Sequence, residues 1–200
     1  MKPQNLILFA ALVLGTSSAR ADIVTNGSFE QGTLGIGSFQ GWQTDLGDIS
    51  TFVDSTGITG PLWGDAFDGL WAAYFGSTAA DGGASISQTL ATKAGQEYLL
   101  SFELANDNAG AAPINSFVVS VDSTQAFSFT NLADQPYAAH QYLFTASSDS
   151  TLLTFFGSNE ASYLKLDDVA VDPVPEPATL TLLGGTLLTL VSLRQRRAAR

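Results

Sequence analysis

The last 27 residues of the chain, from Val174 to Arg200, constrain its architecture more than any other segment. Pro175 and Pro177 each fix φ and remove a backbone donor, so a regular strand or helix cannot continue through them. Residues 178–193 carry no charge, and as a helix they would be about 24 Å long, against about 30 Å of hydrocarbon core in a bilayer. A basic cluster follows, formed by Arg194, Arg196, Arg197 and Arg200. We therefore predict a short C-terminal transmembrane helix, spanning with snorkelling arginines, with the chain before Val174 on the outside.

This tail resembles the PEP-CTERM sorting signal of exported bacterial proteins, with Val174, Pro175, Glu176 and Pro177 as the motif. The resemblance covers all three parts of the tail, over residues 173–200. It implies recognition by an exosortase, a membrane-embedded transpeptidase-like enzyme that acts near the motif on an inner-membrane intermediate. The domain would then pass to the cell surface or the extracellular matrix. A plain C-terminal membrane anchor is the alternative.

The first 21 residues have the organisation of a secretory signal peptide. Lys2 opens a short positive region, Leu6–Gly15 is an apolar core, and Ala19 and Ala21 supply the small-x-small pattern of a cleavage site. Ten apolar residues are too few for a permanent span. We expect export through the secretion translocon and cleavage by signal peptidase before Asp22, with an uncleaved N-terminal anchor as the alternative.

Charge and cysteine content limit the partners of the remaining segment, 22–172. It contains two lysines against 18 Asp and Glu, a net charge of −16. Such a surface repels nucleic acid and anionic lipid, and suits divalent cations or neutral ligands. Cysteine is absent, so this exported domain must depend on its core, with or without a bound ion.

Alternation of apolar and polar residues predicts an all-β fold for 22–172. Tyr98, Leu100, Phe102 and Leu104 would share one buried face. Roughly ten short strands, with no helical segments between them, favour one antiparallel β-sandwich. The candidate strands are Ile23–Asn26, Ile49–Asp54, Leu70–Gly76, Ala84–Leu90, Tyr98–Ala105, Ser116–Asp122, Ala126–Thr130, His140–Ala146, Leu152–Gly157 and Tyr163–Val171.

The last candidate strand contains a change of phase. Leu164 and Leu166 share one parity, whereas Val169 and Val171 have the other. If both pairs are buried, the chain must slip at Asp167–Asp168, as a β-bulge allows. Two adjacent carboxylates at a slip repel one another, and a hard cation such as Ca²⁺ would relieve that repulsion.

Three short motifs resemble the galactose-binding-like jelly roll, a superfamily with many carbohydrate-binding modules. They are residues 26–30 (NGSFE), Gly41-Trp42, and residues 166–169 (LDDV) in the closing strand. The resemblance implies a jelly-roll sandwich whose first and last strands are neighbours. It also implies a structural calcium ion held by Glu30 and Asp168, with Asp167 as the alternative to Asp168.

Candidate chemistry outside these motifs is sparse. Trp63, in a long Gly/Pro-rich loop, is the best candidate for stacking on a sugar, whereas Trp42 and Trp71 have core-like surroundings. His140 is the only histidine, and nucleophile elbows and phosphate loops are absent from the sequence, so we expect no catalytic activity.

Two functions remain open for the exported domain. The first is a structural surface or matrix component associated with exopolysaccharide. The alternative is a carbohydrate-binding module that tethers the cell to polysaccharide.

Overall fold

The computed structural model describes residues 22–31, 35–36, 40–45, 51–55, 66–76, 78–80, 82–108 and 110–175. These residues form two antiparallel sheets packed face to face. In spatial order, the six-stranded sheet contains β1 (Gly35–Ile36), β3 (Thr51–Ser55), β4 (Trp71–Phe75), β11 (Tyr163–Pro173), β6 (Glu97–Asp107) and β9 (Gln135–Thr145). The five-stranded sheet contains β2 (Gln43–Asp45), β5 (Ala84–Ala91), β10 (Ser150–Asn159), β7 (Asn115–Val121) and β8 (Thr124–Thr130). The predicted all-β antiparallel sandwich is confirmed.

The core lies between the sheets and follows the predicted alternation. On β6, Tyr98, Leu100, Phe102 and Leu104 are buried, because successive side chains of a strand point to opposite faces. Every member of the hydrophobic core cluster lies between Val24 and Val171. The segment 22–175 therefore contains its own hydrophobic core.

The predicted slip in the closing strand is a β-bulge. The register of β11 against β6 shifts between Asp167 and Ala170, and Asp168 has φ of 48°. Leu166 before the bulge and Val169 after it are both buried in the core. The extra residue lets both apolar pairs reach the core, and this benefit offsets the strain of a positive φ at a non-glycine residue.

The predicted strand Ile23–Asn26 does not form. Ile23 N donates to Val171 O (3.0 Å), but the chain turns at Asn26, where φ is 56°. Asn tolerates this conformation because its short polar side chain makes local hydrogen bonds. Phe29 N closes the turn by donating to Asn26 O (3.2 Å).

Several predicted features lie outside the described residues. They are the signal peptide with Ala19 and Ala21, the loop residue Trp63, the motif residues Glu176 and Pro177, and the basic cluster Arg194, Arg196, Arg197 and Arg200. The described part of the chain contains no helix long and apolar enough to cross a bilayer.

Candidate functional sites

The opening motif packs directly on the bulge of the closing strand. Gly27 O accepts a hydrogen bond from Val169 N (3.0 Å), and a Cβ added to Gly27 would fall 1.8 Å from Val169 O. Asn26 Nδ2 donates to Gln31 O (2.8 Å) and Gln40 O (3.0 Å), which ties the two sides of the opening loop together. The opening segment of the described domain therefore lies beside the closing strand, but as a turn and not as the neighbouring strand that the resemblance implies.

Glu30 and Asp167 hold one segment, residues 67–71, through its backbone amides. Glu30 Oε1 accepts from Leu70 N and Trp71 N, both at 2.7 Å. Asp167 Oδ2 accepts from Phe67 N (2.8 Å) and from the amide of residue 68 (3.0 Å). The two carboxylates thus anchor this segment from both of its ends.

Asp167 and Asp168 differ sharply although they are adjacent. Asp167 is fully buried, and burial raises the pKa of its carboxyl group to about 7, against the opposing effect of three backbone N–H donors. One of these donors is Asp168 N, at 2.7 Å from Asp167 Oδ1. The side chain of Asp168 is exposed. The bulge therefore turns Asp168 to solvent, where regular alternation would direct it into the core, while residues 67–71 cover the carboxylate of Asp167.

The hydrogen-bond partners of Glu30 and Asp167 bear on the calcium prediction. The groups that the structure directs at Glu30 and Asp167 are N–H donors, whereas a calcium site needs several converging oxygens. Within the described residues, no group of three or more acidic, histidine or cysteine side chains could hold a metal ion. Calcium at Glu30, Asp167 and Asp168 stays a prediction for a chelation experiment.

The two tryptophans in the described part of the chain have the core-like surroundings that the sequence predicts. Trp42 is 7% exposed, packs on Phe29 and Phe155, and donates from Nε1 to Asn26 O (3.1 Å). Trp71 is partly buried against the core. A large exposed aromatic side chain that sequence reasoning missed is Phe67, half exposed and in edge contact with the ring of Tyr137.

His140 belongs to an aromatic cluster. Its ring stacks on Phe102 with centroids 5.1 Å apart and lies 5.0 Å from Phe129 and 5.7 Å from Phe127. Burial lowers its pKa below the usual 6.5, and its buried Nε2 has no hydrogen-bond partner in the described part of the chain. These contacts explain the histidine as a packing residue of the sandwich.

The two ends of the segment 22–175 lie together. Asp22 Oδ1 accepts from Val171 N (2.9 Å), close to the predicted signal cleavage site. Val174 N donates to Glu97 O (2.8 Å), and Gln96 Nε2 donates to Val174 O (2.6 Å). Pro175 is exposed. Val174, the first residue of the predicted sorting motif, is thus hydrogen-bonded to the sandwich.

One broad surface differs from the acidic remainder of the domain. Strand pairing places Ser and Thr, with a few apolar side chains, on the outer face of the five-stranded sheet. We call this the hydroxyl face, and it consists of Gln43, Asp45, Ser85, Ser87, Thr89, Ala91, Ser116, Val118, Ser120, Gln125, Ser128, Thr130, Ser150, Leu152, Thr154 and Phe156. Asp45 is the one ionisable side chain among these described residues.

Comparison with known families identifies the chain. The family described as "Protein of unknown function (DUF642)" matches residues 22–174, so the chain belongs to this family. The PEP-CTERM protein-sorting motif matches residues 173–197. The chain is therefore an exported protein sorted by way of the membrane. None of the curated proteins compared with it matches.

Solved structures show the fold class. The chain is similar to TmCBM61, solved with β-1,4-galactotriose (TM-score 0.57, 12% identity, covering 77% of this chain and 99% of that one). It is also similar to the CBM22-1–CBM22-2 tandem of Paenibacillus barcinonensis Xyn10C (TM-score 0.52, 18% identity, covering 80% and 48%). The Stig cyclase Fisc from Fischerella sp. TAU is a third (TM-score 0.57, 16% identity, covering 80% and 100%). The predicted jelly roll is confirmed. Since the neighbours include a cyclase, the fold by itself assigns no activity.

Proposed function

We propose that the sorted domain is a cell-surface or matrix component that associates with exopolysaccharide by binding carbohydrate. The observation that supports this proposal is the hydroxyl face, which is nearly free of charge in a segment with a net charge of −16. Hydroxyl groups next to exposed apolar side chains match the chemistry of sugars, which present both hydroxyls and apolar C–H surfaces.

Two further points support the proposal. The sorting motif directs the domain to the outside of the cell, where exopolysaccharide is found. Two structural neighbours, TmCBM61 with its bound β-1,4-galactotriose and the CBM22-1–CBM22-2 tandem, have the same sandwich. A structural component without its own ligand is the competing function, and it predicts no saturable binding.

Carbohydrate binding is tested with the soluble segment 22–175. Its migration is measured in native gels that contain dextran, xylan or galactan, each with Ca²⁺ and again with chelator. Retardation that saturates with polysaccharide concentration is the expected result. Unretarded migration of a domain shown by circular dichroism to be folded would refute carbohydrate binding and leave the structural function.

Exosortase sorting is tested separately in the full chain. Alanine at Pro175, Glu176 and Pro177 should leave the full-length protein in the inner-membrane fraction, because the enzyme's motif is lost while the predicted transmembrane segment remains. Normal surface delivery of this variant would reduce the tail to an ordinary membrane anchor.

A further inference from the structure

We propose that a pocket at one end of the hydroxyl face, formed around Phe156, Ser85 and Asp45, binds one residue of an uncharged polysaccharide whose neighbouring residues lie along the face. This inference rests on the proposed function and specifies its site and ligand class.

The pocket is small and half open, with polar and aromatic groups in its lining. Its volume is about 180 Å³, and it is lined by Asp45, Gly82, Gly83, Ala84, Ser85 and Phe156. Asp45 and Phe156 both lie opposite Ser85 in the register, on strands β2 and β10 at either side of β5. An aromatic ring, a hydroxyl group and a carboxylate therefore converge from three adjacent strands.

Gly83 makes room for the aromatic ring. A Cβ at residue 83 would fall 2.3 Å from Phe156 Cζ, and Gly83 has φ of 71°, which favours glycine. The missing side chain lets the Phe156 ring lie against this turn. A ring that is already held in place loses less conformational freedom when a ligand binds.

The lining residues have complementary roles towards a sugar. The apolar face of a pyranose ring can pack on Phe156, while its hydroxyl groups donate to the Asp45 carboxylate and exchange hydrogen bonds with Ser85. Val118 lies opposite Phe156 on the side away from Ser85, so the apolar surface continues across the sheet. Ser and Thr side chains flank it and provide contacts for neighbouring sugar residues.

The charge of the site favours an uncharged polysaccharide over an acidic one. Asp45 and the net charge of −16 on residues 22–172 repel carboxylated or sulfated chains. A second copy of the domain is a poorer occupant, because stable homodimer interfaces are more apolar than a surface composed mainly of Ser and Thr.

The test compares matched variants of segment 22–175 in the native-gel assay with dextran, xylan and galactan, and with alginate as an acidic polysaccharide. Phe156→Ala should weaken binding about tenfold, as expected for the loss of one aromatic contact. Phe67→Ala is the matched control, because Phe67 is also an exposed phenylalanine but lies in the segment held against the six-stranded sheet. It should bind as the wild type does.

Ser87→Glu provides a second test that does not remove packing. Ser87 lies opposite Gln43 and Thr154 in the middle of the face, so the new carboxylate would have to be desolvated under a bound chain. We expect at least a tenfold loss of binding with an unchanged melting temperature.

The outcomes distinguish failure of the proposed site from failure of the proposed function. Wild-type binding that Phe156→Ala and Ser87→Glu both leave unchanged would overturn the site while the proposed function stands, as would loss of binding in Phe67→Ala alone. Binding to alginate but not to the uncharged polysaccharides would overturn the ligand class. A folded wild-type domain that binds none of them would refute the proposed function itself.

Discussion

Gly27 is the residue where the structure predicts the largest effect from the smallest change. Alanine at this position would place a methyl group 1.8 Å from Val169 O and 2.9 Å from its carbonyl carbon. Both atoms belong to the backbone at the bulge, so they cannot move aside as a side chain could. The opening loop must therefore separate from the closing strand.

The cost of this separation has two parts. Forcing a methyl group into a packed site costs about 1–3 kcal/mol. Loss of the bond from Val169 N to Gly27 O leaves a buried amide unsatisfied and costs about 1–3 kcal/mol more. We expect Gly27→Ala to lower the free energy of unfolding by about 3 kcal/mol or more, which corresponds to a fall of roughly 6–12 °C in melting temperature for a domain of this size.

The assay is urea unfolding of segment 22–175, followed by circular dichroism and by tryptophan fluorescence, to which the buried Trp42 contributes. Gly95→Ala is the control, because Gly95 has φ of 82° but no atom within 4 Å of an added Cβ. Backbone conformation alone should then cost about 1–2 kcal/mol. If Gly27→Ala destabilises the domain no more than Gly95→Ala, the close approach of motif and bulge is not a real constraint.

Three other predictions follow from single contacts. Gln96→Ala removes the hydrogen bond to Val174 O. It should accelerate processing of the full chain by about five- to tenfold, measured in a pulse–chase experiment. An unchanged rate would mean that the sorting enzyme engages only the tail beyond Val174. Burial lowers the pKa of His140 below 6.5. The contribution of its neutral form to stability is therefore complete above about pH 6.5 and is lost as the pH falls. His140→Phe should remove this part of the pH dependence, which is measured as the free energy of unfolding at about pH 5 and about pH 7.5. If Ca²⁺ binds beside Glu30 and Asp168, the ion at 100 times its dissociation constant should raise the free energy of unfolding by about 2.7 kcal/mol. Asp168→Ala should abolish this increase. A melting temperature that neither the ion nor a chelator changes would disprove the calcium site.

The pattern of apolar residues predicted most of the sandwich, because a strand with one buried face must alternate. The same rule located the bulge: Leu166 and Val169 can both face the core only if the chain slips between them. It failed at Ile23–Asn26, where the hydrogen bonds of Asn26 stabilise a turn that an apolar pattern does not report.

Buried polar residues also escaped sequence reasoning. Gln88 lies on the core side of β5, where Oε1 accepts from Thr25 N (2.7 Å) and Nε2 donates to Thr25 O and Gly41 O (both 2.9 Å). It joins the opening loop to the five-stranded sheet. A glutamine in a strand gives no local signal of such a role, since its partners are 47 and 63 residues away.

The sequence by itself identified the C-terminal sorting signal and the all-β class, since prolines, an apolar run, clustered arginines and alternation are patterns over short distances along the chain. Tertiary structure decided which carboxylate is buried and which surface carries little charge. Asp167 and Asp168 cannot be told apart from the sequence. Asp167 becomes a buried hydrogen-bond acceptor only because residues 67–71 fold over it. The hydroxyl face likewise exists only because strand pairing brings the outward residues of five separate strands together.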